Sequence, residues 1–235
     1  MGKKNDLYIN APLIETVFEI RFPGNPTIEC NRDKFYNKIK NRYPSVFVPK
    51  VSEGKAIALE PYQFDSVDKT QGVLVALNKL ALSCKKYEGF IQFKKEVMRV
   101  FSIFGKLYPI HKLNRIGLRY VNVIPFSREK NIIPITKYLN VDINLSNQIH
   151  NNFQNFATVF VSPASRGNIT TRIESIVSEN KTKEGILLDF DYARVENLHF
   201  HEIDNYLNES HQYTKKLFEG LISENYKKIM RGEAI

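Results

Sequence analysis

The segment that constrains the fold most spans residues 114–125 and reads NRIGLRYVNVIP. In an extended strand, successive side chains point to opposite faces, so Ile116 and Leu118 share one face while Arg115 and Arg119 share the other. The apolar face needs a covering layer, and the charged face needs partners, because an unpaired guanidinium is costly to desolvate. The segment therefore predicts a central β-strand whose arginines meet either carboxylates of this chain or an anionic ligand.

Other strands with the same alternation supply carboxylates for these arginines. Structural ion pairs are predicted for Glu15, Glu19, Arg21, Asp189 and Asp191, which share faces of the segments LIETVFEIRF and GILLDFDYARVE. Within this interpretation we expect Arg119 to be buried and bonded to one of these carboxylates. The alternative is an anion- or ligand-binding strand, with the site formed by Arg115, Arg119, Tyr120 and Asn122.

The pattern of the remaining chain predicts an α+β fold. Strands are predicted over residues 13–22, 72–85 (a hairpin), 114–125, 155–163, 168–179 and 185–196, with helices over residues 30–43, 87–108, 134–140 and 201–230. This order favours one or more antiparallel sheets with the long helices packed on one face. The last eleven residues, NYKKIMRGEAI, are expected to be available to a partner.

The two halves of the chain follow the same predicted order of elements, β-α-β-β(-β)-α. LIETVFEIRFP in the first half aligns with RIGLRYVNVIP in the second, and both segments end in proline. We therefore predict an internal duplication, with a basic half over residues 1–110 and a second half over residues 111–235 that together form one compact unit.

The positive charge is concentrated in the first half of the chain. Of the 34 Lys+Arg and 25 Asp+Glu that give the net charge of +9, residues 1–126 hold 21 and 11, and residues 127–235 hold 13 and 14. A basic surface attracts nucleic acid, which makes a nucleic-acid-binding module the first alternative function. Its phosphate contacts would come from Lys34, Lys38, Lys40, Arg42, Lys85, Lys86, Lys94 and Lys95. Dispersed lysines of this kind also form ordinary solvated surfaces.

Sequence motifs for catalysis or cofactor binding are absent. The chain has no G-x-S-x-G, P-loop or G-x-G-x-x-G motif, so no cofactor and no metal are predicted. A second alternative is a metal-dependent phosphoesterase-like enzyme that uses Asp189, Asp191, His199 and His201. The spacing of Cys30 and Cys84 fits no metal knuckle, and unpaired thiols suit a cytoplasmic protein. No apolar run is long enough to cross a membrane.

Three stretches together resemble an uncharacterised, sporadically distributed prokaryotic protein family. The similarity rests on an N-terminal PLxExxxEIRF strand, a central RIGLRYxN motif and a C-terminal helix. The residues that carry it are Pro12, Glu15, Glu19, Arg21, Phe22, Arg115, Gly117, Arg119, Tyr120, Asn122, His211, Phe218 and Glu219. Val123 stands where an arginine is common in that family. The resemblance implies a link to defence or mobile genes, and it implies no reaction.

The function expected from these observations is that of a non-enzymatic binding or accessory protein. Such a protein acts with a protein partner or as a homo-oligomer, and this chain is expected to need neither a cofactor nor a membrane.

Overall fold

The strands of the computed structural model, which describes residues 8–47, 61–141, 153–178 and 183–233, form one antiparallel sheet. Nine strands lie in the described part of the chain: β1 (Leu13–Arg21), β2 (Ser45–Phe47), β3 (Tyr62–Asp65), β4 (Gln71–Ala76), β5 (Lys79–Cys84), β6 (Leu113–Pro125), β7 (Ala157–Ala164), β8 (Gly167–Val177) and β9 (Glu184–Leu198). Their order across the sheet is β2-β3-β4-β5-β1-β6-β9-β8-β7. The predicted α+β class with an antiparallel sheet is confirmed.

Six α-helices occur in the same described ranges. They are α1 (Pro26–Cys30), α2 (Arg32–Ile39), α3 (Phe90–Leu107), α4 (Ile135–Tyr138), α5 (Ile203–Leu221) and α6 (Glu224–Arg231), with a short 3-10 helix over Phe200–Glu202 before α5. The two long helices, α3 and α5, pack on the face of the sheet that carries Phe18, Leu118 and Phe190. No helix in these ranges is long and apolar enough to cross a membrane.

The prediction of a single helix over residues 201–230 is wrong. The chain leaves the helical path at Ile222, which forms an isolated antiparallel bridge with Leu139, and restarts at Ser223, whose side chain accepts a hydrogen bond from the Tyr226 N–H. A serine that caps a new helix competes with continuation of the old one. Tyr226 and Met230 of α6 are buried, whereas Asn225, Lys228 and residues 231–233 are exposed, so the availability of this segment to a partner stays a prediction.

The pairing of β1 with β6 joins the two halves of the chain. Residues 1–110 supply β1 to β5, and residues 111–235 supply β6 to β9, so the sheet continues across the predicted boundary. The order of elements in the two halves does not confirm the internal duplication, which stays a prediction. Cys30 is exposed and Cys84 is buried, and both are free thiols.

An ion-pair network occupies the sheet face opposite the long helices. The Arg115 guanidinium donates to Glu19 Oε1 at 3.1 Å and to the two oxygens of Asp191 at 2.9 and 2.7 Å. Glu19 also accepts from Arg21 at 2.7 Å. Four residues further along β6, Arg119 donates to both oxygens of Asp189, each at 2.7 Å. These bonds tie β1, β6 and β9 together through side chains as well as through the backbone.

The structure corrects one detail of the expected ion pairs. Arg119 is bonded to Asp189 as expected, but its side chain is 47% exposed and Asp189 is the buried member at 11%. Arg115, at 19%, is the more enclosed arginine. Glu15 forms no ion pair with the residues that the structure describes. The expectation that Arg119 is buried is therefore wrong, because the network lies on a face that remains partly open.

Gly117 gives Arg115 the space to reach both of its partners. The guanidinium lies directly over this glycine, and a Cβ built at Gly117 would be 2.6 Å from Arg115 Nη1. Glu19 is the register partner of Gly117 on β1, and Ala193 is its partner on β9. A side chain at position 117 would therefore push the arginine away from Glu19 and Asp191.

We expect Gly117→Ala to lower the free energy of unfolding by no more than about 1 kcal/mol, since the added Cβ meets only the flexible end of Arg115, which can shift at the cost of part of its ion pairs. Denaturant unfolding measures this change. The matched control is Gly220→Ala, at an exposed helical position where an added Cβ meets nothing within 4 Å. Ala favours a helix over Gly, so this control should be neutral or stabilising. Equal destabilisation by both substitutions would contradict the role given to Gly117.

A buried carboxylate of α3 binds the segment that follows α2. Glu96 of α3 accepts hydrogen bonds from Arg42 at 2.7 Å, from Tyr43 at 2.7 Å and from Arg99 at 2.6 and 3.0 Å. Burial disfavours the charged form, but the hydrogen bonds from Arg99 and Tyr43 outweigh burial, and the pKa of Glu96 lies below its usual value. The cluster therefore holds an ionised glutamate between α3 and the chain that follows α2.

The lowered pKa of Glu96 predicts a pH-dependent contribution to stability. This contribution is present above the usual value of 4.5 and is lost as the pH falls through the lower folded-state pKa. We expect Glu96→Gln to cost about 2 kcal/mol at neutral pH and progressively less in acid. Urea unfolding at several pH values tests this. The exposed Glu129 gives the control Glu129→Gln, and a deficit of Glu96→Gln that grows as the pH falls would contradict the assignment.

Candidate functional site

A cleft of about 990 Å³ opens on the helix side of the sheet. Its walls are the first turn of α3, the second half of α5 and the segment that precedes β1, and its floor includes residues of β6 and β9. The lining is mainly aromatic and apolar, with Leu13, Phe90, Phe190 and Phe218 among its members. Clefts of this size and composition are the usual form of small-molecule sites.

A buried tyrosine in the floor of the cleft pairs with a histidine in the α5 wall. Tyr120 of β6 is 7% exposed, and its hydroxyl oxygen lies 2.8 Å from His211 Nδ1 on α5. The His211 ring stacks in parallel on Phe90, the first residue of α3, with ring centroids 3.9 Å apart and an interplanar angle of 5°. These contacts join β6, α5 and the start of α3 at one point, and they fix the position of the imidazole.

Burial sets the protonation state of Tyr120. It raises the pKa of this phenol well above the usual value, and the neighbouring Tyr87 raises it further. Tyr87 packs edge-on against Tyr120 with ring centroids 6.1 Å apart. Tyr120 therefore stays a neutral phenol at physiological pH and can exchange a hydrogen bond with His211 in either tautomer of the ring.

Two further polar side chains line the same cleft. Thr214 of α5 is 2% exposed, and its hydroxyl has no hydrogen-bond partner among the described residues. Asn122 of β6 is 5% exposed and donates to the Leu188 carbonyl at 3.3 Å. A buried hydroxyl without a partner costs stability, so Thr214 is a group that a bound molecule would satisfy.

The segment before β1 closes one side of the cleft. The Tyr8 hydroxyl donates to both carboxylate oxygens of Glu219 on α5, at 3.0 and 2.8 Å. Burial, together with this carboxylate, raises the pKa of Tyr8 to about 12. The Glu219 carboxylate therefore already has a hydrogen-bond donor at the cleft wall.

The predicted ligand residues lie on two different faces of the sheet. Tyr120 and Asn122 face the cleft, whereas Arg115 and Arg119 point to the opposite face, where Asp191 and the other carboxylates of the ion-pair network bind them. The alternation of β6 separates the two pairs, so these four residues do not form one site. Of these two arginines, the half-exposed Arg119 is the more accessible to solvent.

The residues of the two alternative functions are also placed by the structure. The exposed members of the basic set are Lys34, Lys38, Lys40, Arg42, Lys85, Lys86 and Lys95. Arg42 is bonded to Glu96, and Lys94 lies 2.8 Å from Asp204. Carboxylates thus occupy part of the predicted phosphate-binding set.

The residues of the phosphoesterase alternative are not brought together. Asp189 and Asp191 bind arginines on the open sheet face, whereas His199 and His201 stack on each other at the start of the 3-10 helix, with centroids 5.5 Å apart. Within the described ranges no group of three or more His, Cys, Asp or Glu is placed to hold a metal ion. The arrangement gives this alternative no support.

Six of the residues that carry the family resemblance converge on the cleft. They are Pro12, Tyr120, Asn122, His211, Phe218 and Glu219. The sequence pattern does not indicate that these separate stretches meet. Tyr8, Gly89 and Thr214 were not foreseen as site residues.

Comparisons with known proteins identify no relative for this chain. No protein-family model matches it, and no curated protein matches it. The resemblance described above therefore stays a prediction, and the site is interpreted from its geometry.

The bond between Tyr120 and His211 gives a test of the site's packing. We expect Tyr120→Phe to lower the free energy of unfolding by about 1–2 kcal/mol, because it removes the hydrogen bond that the buried hydroxyl makes with His211 Nδ1. Chemical unfolding followed by circular dichroism measures the loss. Tyr213, which packs on Tyr192, provides the control Tyr213→Phe, with an expected change below about 0.5 kcal/mol. Similar losses in both variants would argue against the buried hydrogen bond.

Proposed function

We propose that the protein is a non-enzymatic binding protein that takes up a small organic molecule in the cleft. The observation that carries this proposal is the combination of an aromatic cavity of about 990 Å³ with three polar groups in its lining, Tyr120, His211 and Thr214. Apolar walls supply the free energy of burial, and a few fixed polar groups select the orientation of the molecule.

Tyr120 is suited to hydrogen bonding rather than to accepting a proton. Tyr120 has a raised pKa and is held as a neutral phenol. A general base must be ready to accept a proton near neutral pH, and a phenol in this state cannot be one. His211 is fixed between Tyr120 and the Phe90 ring. Such rigid groups recognise a ligand with little loss of conformational entropy.

The accessory character of the protein and its partners are part of the same proposal. A protein partner or a second copy of the chain, nucleic acid at the exposed lysines and a cytoplasmic location all stay predictions. Light scattering of the purified protein tests whether two copies of the chain associate. A salt titration with labelled DNA and RNA tests whether the lysines bind nucleic acid.

A thermal-shift screen of a small-molecule library tests the proposed function. Ligands of the cleft should raise the melting temperature, since a molecule present at 100 times its dissociation constant stabilises the folded state by about 2.7 kcal/mol. We expect Ala11→Trp, which places a large side chain at the cleft lining, to abolish these shifts.

The matched control introduces the same residue far from the cleft. Val67 is 82% exposed in a turn, and Val67→Trp should respond to the same compounds as the unmodified protein. Compounds that stabilise Ala11→Trp as strongly as Val67→Trp would place binding elsewhere. A library that stabilises none of the three proteins would contradict the proposal.

A further inference from the structure

The first turn of α3 presents unused hydrogen-bond donors to the cleft. The helix begins at Phe90 after Gly89. No side chain of the described residues caps it, and no acidic residue lies in its first turn. Helical geometry leaves the first N–H groups of a helix without an intrahelical partner. Gly89 has φ 108° and ψ 161°, a conformation that is essentially restricted to glycine, and it provides no side chain that could act as a cap.

The same residues form part of the cleft wall. Gly89, Phe90, Ile91 and Gln92 all line it, so the positive end of an 18-residue helix meets the cavity. Backbone N–H groups at a helix N-terminus bind anions through direct hydrogen bonds and through the helix dipole. The stacking of Phe90 on His211 holds this helix end in place against α5.

Thr214 points to a ligand independently of the helix. Its hydroxyl is buried, lies in the lining of the same cleft and has no hydrogen-bond partner among the described residues. A hydroxyl on α5 would ordinarily be satisfied by the helix itself or by a neighbour. An acceptor brought in by a bound molecule would supply the missing bond.

The charged groups in the lining are of both signs. Lys215 and Lys216 belong to it, and so do Glu88 and Glu219. Glu219 is hydrogen-bonded to Tyr8, and Glu88 is an exposed residue that precedes Gly89. The two lysines follow Thr214 directly in the chain, and their charges offset those of the two glutamates in the lining.

We infer that the ligand carries an anionic group, a carboxylate or a phosphate, which binds at the N-terminus of α3. The apolar part of the molecule lies against Phe190 and Phe218. This inference rests on the proposed function, because it specifies the chemical class of the molecule that the cleft takes up. The acceptor oxygens of the anion meet the first-turn N–H groups, and Thr214 donates to the same molecule.

Three probes with the same aromatic ring distinguish the contribution of the anionic group to binding from that of the ring. Benzoate carries a carboxylate, phenyl phosphate carries a phosphate, and benzyl alcohol is neutral. Isothermal titration calorimetry of the full chain should show that at least one anionic probe binds about tenfold more tightly than benzyl alcohol. The stronger of the two anions identifies the group that the site prefers.

A variant adds a carboxylate to the helix end itself. Gln92→Glu places a negative charge in the first turn of α3, where it should stabilise the helix and raise the melting temperature while it repels an anionic ligand. We expect about tenfold weaker binding of the preferred anion and an unchanged affinity for benzyl alcohol. The matched control is Gln154→Glu, the same change at an exposed residue outside the cleft lining.

Thr214→Val gives a second, uncharged test. It removes the hydroxyl and keeps the shape, so we expect about fivefold weaker binding of the anion with no loss of stability. The inference is overturned if benzyl alcohol binds as tightly as both anions, or if Gln92→Glu weakens all probes equally, and in these cases the proposed function stands. If no probe binds the unmodified protein, the proposed function fails together with the inference.

Discussion

The register between β1 and β6 is the constraint on which the rest of the structure depends. It places Glu19 opposite Gly117 on one face of the sheet and Thr16 opposite Tyr120 on the other. Because side chains alternate along a strand, this single alignment sets both the ion-pair network and the floor of the cleft. A shift by one residue would bring the arginines under the helices and turn the phenol of Tyr120 towards solvent. The charged face therefore helps to specify the register that the cleft requires.

The cleft exists because three distant parts of the chain meet over the centre of this sheet. Tyr120 and His211 are 91 residues apart, and Tyr8 and Glu219 are 211 residues apart. Phe90 starts a long helix at the place where it can stack on His211. Each contact is polar or aromatic and directional, so the cleft is defined by fixed angles as well as by apolar burial. This rigidity suits selection of one ligand geometry.

The sequence predicted the strand and helix pattern better than it predicted the site. Alternation in residues 114–125 placed the arginines on one face, and carboxylate partners followed from the cost of an unpaired charge. Local patterns do not show which face a second layer covers, so Arg119 was expected to be buried. Local patterns also do not predict the end of α5 at Leu221, because this helix ends where Ile222 forms a long-range bridge with Leu139. The cleft was missed for the same reason, since its parts are brought together only by tertiary packing.

The polar groups in the cleft lining, among them a Thr214 hydroxyl with no partner among the described residues, separate a binding site from an ordinary core. Valine at position 214 would fill nearly the same volume without a buried hydroxyl, and phenylalanine at position 120 would remove a second polar group. The surrounding core is built in that apolar way, with Phe18, Leu118 and Phe190 fully buried. A protein selected for stability alone would gain from extending this pattern into the floor. The polar groups of the cleft share one lining with the N-terminus of α3, and a ligand that completes the missing hydrogen bond of Thr214 would account for that coincidence.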